Sequence, residues 1–180
     1  MNDCLLLVDV FSEFDHADGE RLLSSLRERR GGFEDALAAA RERGIPVVFA
    51  NDTFGVWDGD VRALVGRALA GPGGDVLHSL APRPGEAFLV KPRYSAFDLT
   101  PLELVLGQLE VERLLLGGTA TEMCVAQTAI DARERELKVT VVTGACATVD
   151  EENERTALAY LEAITGSRLA ATFEDALAST

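Results

Sequence analysis

Three side chains that are suited to nucleophilic catalysis each follow a predicted β-strand. Asp9 comes directly after the run CLLLV, Lys91 directly after AFLV, and Cys124 a few residues after LLL, in the segment GGTATEMCVAQTAIDA. A thiolate can attack a carbonyl carbon, a carboxylate can take the thiol proton, and an ammonium can stabilise negative charge. Each residue also has a plain structural interpretation, as a turn, a core or a surface residue. The chemistry therefore requires a fold that brings all three together.

Cys124 lies in the first turn of a predicted helix. The helix dipole and the free amides there favour the thiolate, so the position predicts a lowered thiol pKa. Gly117 and Gly118 precede it and let the backbone turn sharply, which exposes amides that can hold a developing oxyanion. Lys91 is one of only two lysines, with Lys138, in a chain rich in arginine. Its place directly after a strand suggests that the lysine is there to supply a localised positive charge at the sheet edge.

Apolar runs alternate with amphipathic segments along the chain. The predicted strands cover residues 4–8, 45–50, 87–90, 114–116, 139–142 and 168–172, and the predicted helices cover 33–43, 101–109, 122–135 and 151–164. This alternation indicates βαβ crossovers and a parallel sheet covered on both faces. Residues 16–32 and 58–85 have the weakest pattern, and GPGGD and PRPGE in the second range predict loops.

The carboxyl ends of the strands in an open parallel sheet converge on one edge. Asp9, Lys91 and Cys124 all follow such ends, so the topology predicts that they can meet in one pocket. The other cysteines, Cys4 and Cys146, are predicted to pack in the core, although Cys146 also follows a strand. Three cysteines without a zinc spacing predict free thiols and a cytoplasmic protein.

The composition limits the classes of partner. The 180 residues suffice for one domain, predicted to span 1–180, with 47% hydrophobic and 26% charged residues. The net charge of -13 argues against binding to nucleic acid or to an anionic membrane. No apolar run approaches the roughly 20 residues of a membrane helix, and the N-terminus lacks the basic region of a secretion signal. A small-molecule substrate remains as the expected partner.

Taken together, these segments resemble the isochorismatase-like cysteine hydrolases, a family that includes nicotinamidases and related amidases. LLLVDVFSEF resembles the first strand with the catalytic aspartate, and KPRYSAF resembles the lysine motif. GGTATEMCVAQTAIDA resembles the nucleophile motif G-x-x-T-x-x-C-V followed by T-A-x-D-A, and VVTGACAT resembles the next strand and its loop. The resemblance covers nearly the whole chain. It implies a Rossmann-like α/β fold, a three-layer α/β/α sandwich with a central, mostly parallel six-stranded sheet.

The family resemblance also implies a catalytic machinery. Cys124, Asp9 and Lys91 would form the triad, and a non-proline cis peptide would join Thr119 to Ala120. The amides of Ala120 and Cys124 would hold the oxyanion. Asp9 would take the thiol proton and later give it to the leaving amine, and water would release the acid from a thioester. Burial would raise the pKa of Asp9, while Lys91 would lower it.

Two departures from the family pattern bear on the substrate. Many members have Gln two residues after the aspartate, where this chain has Phe11, which makes the pocket more apolar. Nicotinamidases commonly carry Asp-x-His after the second strand to bind a metal, whereas here Asp52 is followed by Thr53 and Phe54. The only histidines, at positions 16 and 78, do not give the metal-binding spacing. No metal and no other cofactor are therefore expected.

The resemblance places six residues in the substrate pocket, and core packing or a capped loop is their alternative interpretation. They are Phe11, Phe14, Asp52, Trp57, Tyr94 and Phe97.

The leading functional interpretation is a metal-independent cysteine hydrolase that acts on a small amide, carbamoyl or ureido compound through a Cys–Asp–Lys triad and a thioester. One alternative is an isochorismatase-type vinyl ether hydrolase, whose reaction does not need a thiol nucleophile. A second is a non-catalytic binding or partner-assembly protein on the same fold. A third is a thiol redox sensor in which Cys146 approaches Cys124. Family members often form dimers or tetramers, so a homo-oligomer is expected.

Overall fold

A single parallel sheet organises the molecule. The computed structural model describes residues 2–57 and 59–178. All strand pairs are parallel, in the order β3-β2-β1-β4-β5-β6. The strands are β1 (Asp3–Val8), β2 (Val47–Asp52), β3 (Ala87–Lys91), β4 (Arg113–Thr119), β5 (Lys138–Ala147) and β6 (Arg168–Ala170). The predicted six-stranded sheet is thus confirmed, and each strand begins or ends within a few residues of its predicted bounds, β5 extending furthest.

The register of the strands aligns their carboxyl ends at one edge. Val8 lies opposite Ala50 of β2 and opposite Gly118 of β4. Asp52 at the end of β2 lies opposite Lys91 at the end of β3. Since residues that follow these positions emerge at the same level, the edge collects side chains from four distant parts of the sequence.

Helices cover both faces of the sheet. Within the described residues the α-helices are α1 (Gly19–Glu28), α2 (Arg30–Glu42), α3 (Val61–Ala70), α4 (Gly74–Leu80), α5 (Leu102–Gln108), α6 (Ala126–Glu134), α7 (Glu151–Ala163) and α8 (Phe173–Leu177). A π-helical turn, Thr121–Val125, precedes α6. None of the helices in the described ranges combines the length and the apolar character needed to cross a membrane.

Two apolar clusters lie on opposite faces of the sheet. Leu5 and Leu7 of β1 join a cluster with residues of α1 to α4 and α8. Leu6 and Val8 point the other way, into a cluster with residues of α5, α6 and α7. Cys4 is fully buried in this second cluster, as predicted. Because both faces of β1 are buried, its sequence is a continuous apolar run rather than an alternating pattern.

Helices α1, α3, α4 and α8 were not predicted from the sequence. The first three occupy much of the two ranges with the weakest pattern, and α4 begins inside GPGGD, which predicted a loop. Gly74 begins α4 at a point where a Cβ atom would lie 2.3 Å from the Leu69 carbonyl oxygen. The glycine therefore allows α3 and α4 to approach closely. Sequence alone does not distinguish a glycine with this packing role from a glycine in a flexible loop.

Gly118 stands where the backbone and its neighbours accept only glycine. Its φ is +133°, and a Cβ atom would lie 2.1 Å from the Val8 carbonyl oxygen. We expect Gly118→Ala to lower the free energy of unfolding by about 3 kcal/mol, measured by urea denaturation. Gly107→Ala in α5 is the matched control, because a Cβ there meets open space. That change should stabilise by roughly 0.5–1 kcal/mol, and equal effects of the two substitutions would contradict the prediction.

Candidate active site

Asp9, Lys91 and Cys124 meet at the carboxyl edge of the sheet. The Lys91 Nζ atom lies 2.6 Å from Asp9 Oδ2 and 3.8 Å from Cys124 Sγ. Lys91 is 1% exposed and Asp9 8% exposed, while Cys124 is half-buried. A carboxylate, an ammonium and a thiol are therefore in mutual contact, as the convergence of strand ends predicts.

The Lys91 ammonium is held by three partners. It ends β3 and donates to the Arg93 carbonyl oxygen at 2.7 Å, in addition to Asp9 and Cys124. An ammonium has three protons to donate, so all of them have a partner. Lys91 is consequently a fixed positive charge between the carboxylate and the sulfur.

Asp9 is oriented from two neighbouring strands. It has a φ of 51°, a conformation that Asp tolerates better than most residues. Its amide donates to the Ala50 carbonyl, and its Oδ1 accepts from the Asp52 amide at 2.7 Å. The Thr119 hydroxyl donates to its carbonyl oxygen at 2.6 Å. One carboxylate oxygen thus bonds the backbone of β2 while the other faces Lys91.

The segment that carries Cys124 differs from an ordinary helix start. A cis peptide joins Thr119 to Ala120, at the position that the family resemblance implies. Cys124 then lies in the π-helical turn Thr121–Val125, where the Val125 amide donates to the Ala120 carbonyl at 3.3 Å. The sequence predicted an α-helix from residue 122, which the structure shows to begin at residue 126.

Thr128 links the sulfur-bearing turn to the segment that follows Lys91. Its hydroxyl donates to the Cys124 carbonyl at 2.7 Å and accepts from the Ala96 amide at 3.0 Å. Thr128 is fully buried, so these bonds are shielded from water. The backbone positions of the thiol and of the lysine loop are therefore coupled.

A partly buried ion pair, Arg29 with Glu154, supports the same turn from the other side. The Glu154 carboxylate accepts two bonds from Arg29, at 2.5 and 2.7 Å, and one from the Thr121 hydroxyl at 2.7 Å. Sequence reasoning missed Glu154, because it is one of three glutamates in the first turn of α7. Nothing in the sequence distinguishes the one that turns inward.

Burial dominates the proton affinities of this cluster. It raises the pKa of the Asp9 carboxyl, while Lys91 and hydrogen bonds from Cys124 and Asp52 act to lower it. Both directions agree with the expectation from sequence. Burial also raises the pKa of the Cys124 thiol, and the Asp9 charge adds to this effect more than Lys91 offsets it. The lowered thiol pKa predicted from a helix start is wrong, because desolvation and a neighbouring anion outweigh a short turn's dipole.

The alkylation of Cys124 should reflect this raised pKa. We expect its rate with iodoacetamide to keep rising above pH 9, the ordinary thiol value. Asp9→Asn removes a negative charge that raises the thiol pKa, so the profile should move to lower pH. Peptide mass spectrometry separates Cys124 from the buried Cys4 and Cys146, which serve as internal controls. A rate that levels off below pH 8, or a shift to higher pH in the variant, would contradict the prediction.

A cavity of about 320 Å³ opens onto the cluster. Asp9, Cys124 and Ala120 line it, together with a wall of larger side chains from several elements. That wall includes Leu22, Phe54, Tyr94, Met123 and Val149. Sequence reasoning did not identify Leu22 or Val149 as site residues, because the pattern around α1 was weak and Val149 follows β5 in an irregular segment. The cavity suits a small, partly apolar molecule.

Phe11 does not line this cavity, which corrects its predicted place in the pocket. The ring is fully buried and packs against Phe49 and Phe88, with centroids 5.7 and 6.0 Å away. Asn51 holds its backbone on both sides, accepting from the amide and donating to the carbonyl, each at 2.9 Å. The aromatic ring therefore belongs to the core under the site.

The remaining predicted pocket residues divide into two groups. Asp52 and Tyr94 line the cavity. Phe14 and Phe97 are buried in the two apolar clusters, on opposite faces of the sheet, and Trp57 is 63% exposed outside the cavity wall. The alternative interpretation, core packing, describes Phe14 and Phe97, because sequence does not show to which side an aromatic ring turns.

The residues after β2 offer little to a metal ion. Asp52 and Phe54 line the cavity, whereas Thr53 between them is buried. Phe54 has no atom that can coordinate a metal. Among the residues that the structure describes, no three His, Cys, Asp or Glu side chains are grouped so that they could hold one.

Comparisons with known proteins identify the family of this chain. The family model described as the isochorismatase domain matches residues 3–172. The uncharacterized isochorismatase family protein YaaI of Bacillus subtilis is 30% identical over 158 residues, covering 88% of this chain and 87% of that protein.

Two solved structures share the fold. Nicotinamidase PncA from Bacillus subtilis superposes with a TM-score of 0.76 at 25% identity, covering 94% of this chain and 99% of that one. N-carbamoylsarcosine amidase from Thermoplasma acidophilum superposes with a TM-score of 0.71 at 25% identity, covering 94% and 96%. With the three-layer α/β/α arrangement and the match along nearly its whole length, the chain belongs to the isochorismatase family of hydrolases.

Proposed function

We propose that this protein hydrolyses a small amide, carbamoyl or ureido compound through a thioester on Cys124, without a metal. One observation carries the proposal: a buried Lys91 ammonium bridges the Asp9 carboxylate and the Cys124 sulfur at the floor of a cavity. A nucleophile, a base and a fixed positive charge are the groups that acyl transfer to a thiol requires.

The first half of the reaction forms the tetrahedral intermediate. Cys124 rests as a thiol because its pKa is raised, so Asp9 must take the proton as the sulfur attacks the carbonyl carbon. The carbonyl oxygen gains the negative charge, and the amides of Ala120 and Cys124 stabilise it, each worth about 10²–10³ in rate. The raised pKa of Asp9 makes it a better proton acceptor than an exposed carboxylate.

The second half reverses the proton transfer. Protonated Asp9 gives its proton to the leaving nitrogen as the C–N bond breaks, which leaves an acyl group on Cys124. Asp9 then takes a proton from water, whose oxygen attacks the thioester carbonyl. The C–S bond breaks, the sulfur recovers a proton, and the acid departs. Lys91 keeps its charge throughout.

The names of the related structures support amide chemistry. One neighbour is a nicotinamidase and another an N-carbamoylsarcosine amidase, so both cleave a C–N bond next to a carbonyl. A thiol nucleophile also fits acyl transfer better than hydrolysis of a vinyl ether, which does not need one. These two arguments favour an amide over the alternatives.

The test is to trap the acyl-enzyme. Purified protein is mixed with a panel of small amides, carbamoyl and ureido compounds, and rapid acid quench is followed by peptide mass spectrometry. We expect an acyl mass on the Cys124 peptide and stoichiometric release of ammonia or amine. Cys146→Ala should retain both signals. Hydrolysis of a vinyl ether alone would overturn the proposal, as would a Cys124–Cys146 disulfide as the sole product of the thiol.

The expectations of a homo-oligomer and of a cytoplasmic location stay predictions. Tyr94 and Met123 are 61% and 45% exposed beside the cavity, where a second copy would cover their apolar surface. Light scattering on the purified protein measures the oligomeric state directly.

A further inference from the structure

The charged side chains that line the cavity are mainly negative. Besides Asp9, the residues that line it include Asp18, Asp52 and one histidine, His16. No arginine or lysine belongs to the lining in the described part of the chain. Lys91 is 1% exposed and its charge faces Asp9 at 2.6 Å, so the pair adds little net field. A ligand in the cavity therefore meets carboxylates without a compensating cation.

Asp52 is the lining carboxylate that is available to interact with a charged ligand. Its Oδ1 atom accepts from the Phe54 amide at 2.6 Å, and it has no ion-pair partner among residues 2–57 and 59–178. Asp18 differs, because Arg21 lies 3.4 Å from its Oδ1 atom. Asp52 is also less exposed than Asp18, so water screens its charge less.

A groove that shares residues with the cavity is also lined by charged side chains that are mainly carboxylates. Asp52 and Tyr94 line both spaces, and the second groove adds Asp98 and Asp131 against a single Arg93. With three carboxylates and one guanidinium, this groove offers no surplus of positive charge. A substrate that extends from the thiol past Tyr94 remains beside negative charge.

We infer that the site takes amides whose remaining part is neutral or carries an ammonium group, that it disfavours carboxylates, and that Asp52 determines this preference. The inference rests on the proposed function and narrows its substrate class. A carbamoyl amino acid carries a carboxylate near its amide, and at contact distance the Asp52 carboxylate would repel that group. An ammonium group in the same place would gain an unpaired counter-charge.

Alkylation of Cys124 tests the preference without requiring hydrolysis. Iodoacetamide and iodoacetate differ by one charge at nearly equal size, and each forms an S–CH₂ bond while iodide leaves and the thiol proton goes to solvent. The rate with iodoacetamide is divided by the rate with iodoacetate, first at Cys124 and then for N-acetylcysteine. The first ratio divided by the second, the corrected ratio, reports the electrostatic potential at the sulfur. We expect the corrected ratio to favour iodoacetamide by at least about tenfold.

A pair of substitutions isolates Asp52. Asp52→Asn keeps an oxygen that can accept from Phe54 but removes the charge, and we expect it to lower the corrected ratio several-fold. Asp35→Asn on α2 changes the net charge equally at an exposed position remote from the cavity lining, and should leave the ratio unchanged. Equal effects of the two variants would assign the preference to net charge and overturn the role of Asp52. A corrected ratio near one in the wild type would overturn the inference itself.

Turnover provides the second readout. Succinamate and 3-aminopropanamide present the same amide with a carboxylate or an ammonium group at the far end. We expect kcat/KM to favour 3-aminopropanamide, and Asp52→Asn to reduce that preference by about tenfold. Preference for succinamate that is lost in Arg93→Ala would overturn the inference and assign a carboxylate subsite to Arg93. Charge-selective alkylation without hydrolysis of any amide would instead refute the proposed function, and with it the amide substrate class, while leaving the charge preference of the cavity and the role of Asp52 in place.

Discussion

Cys124→Ala is expected to lower the rate of amide hydrolysis by about 10⁴-fold or more while changing the free energy of unfolding by less than about 1 kcal/mol. The rate falls because no other group in the cluster can carry the acyl intermediate: Asp9 lacks sufficient nucleophilicity, and Lys91 has its protons bound to three partners. Stability changes little because the sulfur is half-buried and its polar partners are a distant Lys91 ammonium and the Asp9 carboxylate, to which a thiol is only a weak donor.

Cys146→Ala is the matched control for the nucleophile. Cys146 is fully buried in an apolar cluster, and its thiol donates to the Val142 carbonyl at 3.3 Å. Its replacement should leave turnover nearly intact and cost roughly 1–2 kcal/mol, because it opens a small cavity in the core. We therefore expect Cys124→Ala to abolish ammonia release with little change in urea denaturation, and Cys146→Ala to retain ammonia release while lowering the free energy of unfolding. A Cys124→Ala variant that kept a tenth of the activity would refute the nucleophile assignment.

Asp9→Asn is expected to destabilise the protein by about 3–5 kcal/mol at neutral pH, because it leaves the Lys91 ammonium buried without its counter-charge. It also turns a donor NH₂ group toward either that ammonium or the Asp52 amide, a conflict that a protonated Asp9 avoids by placing its single proton elsewhere. Lys91→Met leaves the Asp9 carboxylate buried in turn, but protonation can relieve that cost. The double variant, which buries no charge, should recover a large part of the lost stability. This non-additivity measures the coupling between the two side chains.

The pH dependence of the free energy of unfolding shows how the ionisation of Asp9 contributes to stability. Its pKa in the folded protein is raised above the ordinary value of 3.8, so its contribution to stability is fully present below that value and is lost as the pH rises through the raised pKa. Lys91→Met removes an influence that lowers this pKa. The deficit of Lys91→Met relative to wild type should therefore be small in acid and largest at neutral pH.

An exposed ion pair provides the comparison for the buried one. Arg43 and Glu174 approach to 2.7 Å, but their side chains are 41% and 63% exposed. Arg43→Met should cost less than about 1 kcal/mol, because water screens the pair. If Asp9→Asn cost no more than this, or if the double variant cost the sum of the single ones, the buried pair would not have the predicted coupling.

The sequence by itself determined the sheet and the approximate place of the site. Continuous apolar runs such as Leu5–Val8 must be buried on both faces, which requires parallel strands covered by helices. Parallel strands bring their carboxyl ends to one edge, so Asp9 and Lys91 were expected at the same edge, where the structure places them. The spacing of apolar residues is a local property of the chain, and local properties can be predicted from one sequence.

Only the tertiary structure decided which side chains face the cavity and how their charges behave. Phe11 and Asp52 both lie near strand ends, yet Phe11 packs below the sheet edge while Asp52 lines the cavity. The helix start at Cys124 predicted a lowered thiol pKa, whereas burial and the charge of Asp9 raise it. Side-chain direction and desolvation depend on contacts between residues far apart in the chain, and such contacts exist only after folding.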